Sequence, residues 1–194
     1  LNCLQRTAYG YNRWSQSAMR QWLNSDKGVG EWWTPQNDYD RCPDQLAAKA
    51  GFLTGFDADF LEVLRPTKVV TALNTITDAT SSNSVDPLET TYDKIYLPAL
   101  EQMSIEPQLA GEGTTWDYWK RASNMTTKMK QYQTYPQIRT FAIENHTSPQ
   151  NVRLRSANRD NACNTGNVNS SGNVNNNNAN WANRCAPDCV VLRT

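Results

Sequence analysis

Two thiols, Cys185 and Cys189, stand with three residues between them in "RCAPDCVV" near the end of the chain. Thiols so placed could do redox or nucleophilic chemistry if a neighbouring cation or histidine held one of them as thiolate. The run around them offers no histidine and no basic cluster, and its apolar character predicts burial. The remaining cysteines, Cys3, Cys42 and Cys163, bring the count to five. An odd, scattered set is not a disulfide framework. With His146 as the single histidine and no zinc-knuckle spacing, no metal site is expected. The carboxylates Glu101, Glu112 and Glu144 share no catalytic spacing. No catalytic residue and no cofactor is read from the chain.

The densest chemistry is carboxamide. Between Asn158 and Asn183 the chain holds 12 asparagines in 26 residues. Asparagine favours turns over helix or strand and offers both donors and acceptors. The stretch is not random low complexity. In "NVNSSGNVN", Val168 and Val174 flank a turn-forming "SSG". They read as inward anchors of a hairpin, with Asn167, Asn169, Asn173 and Asn175 facing out. Ala179 and Ala182 read as small packing residues further on. Val190 and Leu192 share one face of a closing strand. An ordered scaffold with a polar, interchangeable outer face needs such anchors; a disordered tail does not.

The elements that must hold this segment lie upstream. The spacing of Ala18, Met19, Trp22 and Leu23 after Ser15 predicts a helix over about 15–25. "GFDADFLEVLRP" predicts a second over about 57–64, with Asp57 as cap and Pro66 as stop. One of the adjacent Trp32 and Trp33 should anchor its loop. "TKVVTALNT", "TYDKIYLPAL", "QIRTFAIEN" and "NVRLRSAN" read as strands. "DATSSNSVDP" reads as a polar loop, and "TTWDYWKRAS", with Trp116, Tyr118 and Trp119, as a short helix or turn. The order predicts an α+β fold with a small antiparallel sheet and long ordered loops. Trp22, Leu23, Phe60, Leu64, Ile95 and Leu97 are the expected core.

Composition bounds the rest. The 194 residues suit one domain, 1–194, and carry 19 basic and 19 acidic side chains. That balance announces no nucleic-acid partner. Seven tryptophans and eight tyrosines mark a globular chain. No apolar run is long enough to span a membrane, so no membrane insertion is expected. The first residue is Leu1, not Met, which suggests the C-terminal part of a longer protein.

"YNRWSQSAMRQWLNSD", "YDKIYLPAL", "RLRSANR", "VNSSGNVNNNNAN" and "RCAPDCVV" together resemble the variable proteins of diversity-generating retroelements. The resemblance covers nearly the whole chain. It implies a C-type-lectin-like fold of the formylglycine-generating-enzyme-like branch, from a phage or bacterium. It implies a variable repeat over about 153–194, altered by reverse transcription that misreads adenines. AAC codons for asparagine are the usual targets, and no change of their adenines creates a stop codon. Asp160 and Cys163 are each reachable from Asn in this way, whereas Trp181 is not. The implied ligand-binding positions are Asn158, Asp160, Asn161, Cys163, Asn164, Asn167, Asn169, Asn175, Asn176, Asn177, Asn178, Asn180, Trp181 and Asn183. The implied partner is a protein or cell-surface macromolecule. The implied location is a virion surface, on tail or capsid, or a bacterial cell surface, and the parent protein could carry the domain into a homo-oligomer.

Two other readings follow from the same fold branch. One is a formylglycine-generating-type oxidase using Cys185 or Cys189. The other is a carbohydrate lectin, for which "IEPQ" at 105–108 is a faint echo of a calcium loop without its acidic partners. Sequons at Asn124, Asn145 and Asn169 are expected to stay bare in a phage or bacterial protein.

Overall fold

Ser17, rather than Ser15, caps the first core helix. Its Oγ accepts a hydrogen bond from the Arg20 amide at 3.1 Å, and helix α2 runs only over Ala18–Leu23. Ser15 belongs to a preceding 3-10 turn, Trp14–Gln16, where its amide and hydroxyl both donate to Glu89. The periodic pattern over 15–25 thus spans two short pieces, because Ser17 Oγ also donates to Trp14 O and breaks the run. The computed structural model describes residues 3–74, 87–117, 150–170 and 172–192. The expected strand "QIRTFAIEN" lies outside the described residues. So do Tyr118, Trp119, Asn124, Glu144, Asn145, His146 and most of "DATSSNSVDP".

The chain is mixed α+β, richer in short strands than in helix. Helices α1 (Cys3–Tyr9), α3 (Asp44–Ala47) and α4 (Ala58–Val63) accompany α2. Asp57 occupies the N-cap position of α4, but its side chain makes no cap hydrogen bond. The strands among the described residues are β1 (Leu64–Arg65), β2 (Thr67–Ala72), β3 (Leu88–Asp93), β4 (Ile95–Tyr96), β5 (Val152–Ala157), β6 (Asn164–Val168), β7 (Val174–Asn178), β8 (Arg184–Cys185) and β9 (Asp188–Val191). They form a β2–β3 hairpin, an antiparallel β1–β9–β4 sheet and a β7–β6–β5–β8 sheet. The last sheet is antiparallel except for β8, which runs parallel to β5. Both expected helices meet the β1–β9–β4 sheet. α4 runs straight into β1, and Asn24, which caps α2, bonds the backbone of Lys94 and Ile95 through both ends of its amide.

Two apolar clusters hold the layers together. The larger gathers Trp14, Trp22, Leu23, Trp32, Leu64, Ile95 and Leu97, with Phe60 packed at its edge. Trp32 is the anchor of its pair: it is buried and donates to Lys49 O, while Trp33 is half-buried and meets it edge-on. The smaller cluster joins Leu100, Met103 and Ile105 to Leu154 and Val168, with Val174 packed against it. Burial of this kind contributes about 25 cal/mol per Å² of apolar area. The closing strand departs from expectation. Val190, Val191 and Leu192 are exposed, and only its Asp188–Cys189 half, paired with β4, is partly covered.

Candidate functional site

The Asn-rich hairpin forms in the expected register. β6 and β7 pair with Val168 opposite Val174 and Asn164 opposite Asn178. Gly172, at φ +82°, supplies the left-handed turn, and its amide donates to Asn169 O. Val174 faces the smaller core with Val168, so Asn176 and Asn178 share that face. Asn175 and Asn177 fall on the opposite face, with Thr165 and Arg153. β7 is an edge strand of its sheet among the described residues, as β8 is at the other side. The asparagines therefore wrap an edge instead of lining one flat face.

Burial divides the expected binding residues. Asp160, Asn175, Asn176 and Trp181 are exposed, and Trp181 shows 56 % of its surface. Asn164, Asn177, Asn178, Asn180 and Asn183 are half-buried. Amide pairs link some of them: Asn164 Nδ2 donates to Asn176 Oδ1 at 2.8 Å, and Asn177 Nδ2 to Asn183 Oδ1 at 3.4 Å. Asn158, Asn161 and Asn169 are built into turns. Their Oδ1 atoms accept from the backbone amides of Asp160, of Cys163 and Asn164, and of Asn173.

Three residues depart from their expected places, two outward ones and one anchor. Asn167 is fully buried, because β6 is an inner strand with both faces covered from Thr165 to Val168. Neither end of its amide finds a hydrogen-bond partner among the described residues. Cys163 is buried too; burial pushes its thiol up, and the thiol donates to Asn161 Oδ1. Ala182 is exposed and anchors nothing, whereas Ala179 packs beneath Gly10. Gly10 sits at φ +79°, and a Cβ there would stand 3.0 Å from Asn180 N and 3.1 Å from Ala179 Cβ. Only glycine admits this approach.

The tethers of the segment are mostly backbone atoms on the segment's side. Asn12 is buried, and its Nδ2 donates to Asn158 O, Asn161 O and Asn164 O at 2.6–3.0 Å, while its Oδ1 accepts from Asn74. The Asn12 amide donates to Ala162 O, and the Asn180 amide to Tyr9 O. Arg153, itself buried, donates to Asn178 O and Trp181 O. Arg159 Nη1 donates to Leu73 O. None of the scaffold residues Asn12, Tyr9 and Arg153 was legible as a tether. "NVRLRSAN" reads as a strand and forms β5, all six residues of which are buried.

The thiols give no sign of activation. Burial pushes Cys185 up, outweighing Lys49, Arg153 and Arg184, which pull it down. Lys49 and Arg153, brought beside Arg184 by folding, correct the expectation that no basic cluster lies near it. Burial and then Asp188 push Cys189 up. Among the described residues no group of three or more His, Cys, Asp or Glu side chains could hold a metal ion. Among the same residues no helix is long and apolar enough to cross a membrane.

An α+β scaffold carrying an Asn-rich, backbone-tethered edge is the class of domain that fold and site define. A family model described as "Domain of unknown function (DUF6273)" matches residues 3–190, and the chain belongs to that family. No curated protein and no solved structure matches it.

Proposed function

We propose that this chain is a ligand-display domain, a C-type-lectin-like variable protein of a diversity-generating retroelement. The observation that carries the reading is the tethering of the segment through its carbonyls and amides. A contact made to a main-chain atom survives when the side chain on that residue changes. Asn12, Arg153 and Tyr9 can thus hold residues 158–181 in place while the exposed side chains vary. Surface substitutions of that kind usually cost within about 0.5 kcal/mol.

Asp160, Asn175, Asn176 and Trp181 form the most exposed part of this surface, with Asn164, Asn177, Asn178, Asn180 and Asn183 at its margins. Asparagine supplies adaptable hydrogen bonding but little apolar area, so Trp181 is the one rigid aromatic anchor. The partner is a protein or another cell-surface macromolecule, met from a virion or a bacterial envelope. No catalytic role is assigned to Cys185 or Cys189, whose thiols burial disfavours as thiolates.

The test is selection. A display library randomised at Asp160, Asn175, Asn176 and Trp181 is panned on several unrelated purified proteins. Specific binders should emerge whose sequences differ only at these positions. Failure to enrich any binder from a folded library would overturn the reading.

A further inference from the structure

A cleft of about 300 Å³ lies between the N-terminal segment, the approach to α3 and the turn at 179–183. Its size suits a compact ligand. Trp14, Met19, Trp33 and Leu46 give it apolar walls. Its charged groups are unequally compensated. Arg6 pairs with Asp40. Arg155 lies in the field of Glu112 and Asp93. Arg153 has only neutral partners among the described residues: the Thr165 hydroxyl and the carbonyls of Asn178 and Trp181. It is 4 % exposed, and burial pulls its guanidinium down to about 10, so it stays charged at neutral pH.

A buried cation ordinarily sits with a carboxylate. Arg41, exposed at the rim, donates among the described residues only to the carbonyls of Asp38 and Asp40. Asp44 is the one lining carboxylate left to oppose both arginines. Asn183 also lines the cleft, and its Nδ2 is a buried donor without an acceptor among the described residues. Asp44 offsets part of the charge of the two guanidinium groups, so the cleft suits a monoanion better than a phosphate dianion.

We propose that this cleft is a binding site for a compact organic carboxylate with an apolar body. The carboxylate is drawn to Arg153, Arg41 and the Asn183 amide, and the body rests against Trp33 and Met19. The site borders the display surface at Asn183 but does not rest on the display reading, since Arg41, Trp33 and Met19 lie far upstream of the Asn-rich segment.

The experiment titrates the full chain with N-acetylphenylalanine and with its neutral counterpart N-acetylphenylalaninamide, following tryptophan fluorescence, since Trp14, Trp33 and Trp181 line the cleft. The acid should bind at least about tenfold tighter than the amide. Its advantage should shrink as salt rises. Arg41→Gln should weaken the acid several-fold and leave the amide unchanged. Arg153→Gln should abolish the preference for the acid if circular dichroism shows it folded; if it unfolds, the acid–amide comparison and Arg41→Gln still decide. Equal affinities, no binding of either ligand up to about 10 mM, or an unchanged acid affinity in Arg41→Gln would overturn the proposal. Exchanging Asn175 and Asn176 should leave acid binding intact, which separates this site from the display surface.

Discussion

The side-chain nitrogen of Asn12 stands 2.6 Å from the carbonyl oxygen of Asn161, 149 residues further along the chain. The same nitrogen also reaches the carbonyls of Asn158 and Asn164. One short side chain near the N-terminus therefore fixes the loop that precedes β6. Asn12→Ala removes the shared donor of three part-buried carbonyls, of which Asn164 O keeps the Asn158 amide, and a buried group left unpaired costs about 1–3 kcal/mol. A loss of at least that size is expected in urea denaturation. Stability equal to the parent would show that the clamp holds nothing.

Gly10 sets the distance at which the N-terminal segment and the turn at 179–180 meet. Its left-handed backbone alone makes a side chain cost about 1–2 kcal/mol. Gly10→Val adds a clash with Asn180 N and Ala179 Cβ. The expected result is a lowered melting temperature together with faster amide exchange at Asn180. A variant as stable as the parent would mean that this contact does not organise the turn.

The hairpin makes opposite predictions for adjacent positions. Val174 packs against the smaller core, so Val174→Asp would press a charge into apolar surroundings and should destabilise strongly. Asn175 and Asn176 are exposed, so exchanging both for serine should shift stability by no more than about 0.5 kcal/mol each. Thermal melts of the two variants beside the parent decide this. A tolerant Val174→Asp with an intolerant asparagine pair would mean that the faces are reversed.

Glu112 makes stability depend on pH. Burial raises its pKa, outweighing the hydrogen bonds from Ser156 and from the Ala72 amide, which lower it. The folded state thus binds its proton more tightly than the unfolded state does. Its contribution is fully present below the unfolded value and is lost as pH rises through the folded one. Glu112→Gln keeps a neutral group there and should flatten this fall. An unchanged slope of stability against pH in the variant would exclude Glu112 as its source.

Much of the fold was legible where a periodic pattern meets a single buried face. Trp22, Leu23, Leu64, Ile95 and Leu97 are core, and the Val168–Val174 register was readable from the turn between them. Asn167 was misread because alternation predicts one wet face, and β6 has none. Ala182 was misread because a small residue's spacing does not tell which way a turn leaves it. The buried arginines of β5 were invisible for a related reason. Their partners are carbonyls from distant segments, and no local pattern records those.

Protease resistance across a library randomised at Asp160, Asn175, Asn176 and Trp181 tests the display reading most directly. It is read beside a second library randomised at Asn12, Gly10, Asn167 and Val174. Tethering through main-chain atoms predicts that most members of the first library survive digestion as well as the parent and that most of the second do not. Equal losses in the two libraries would contradict it, because the exposed side chains would then be part of what holds the segment together.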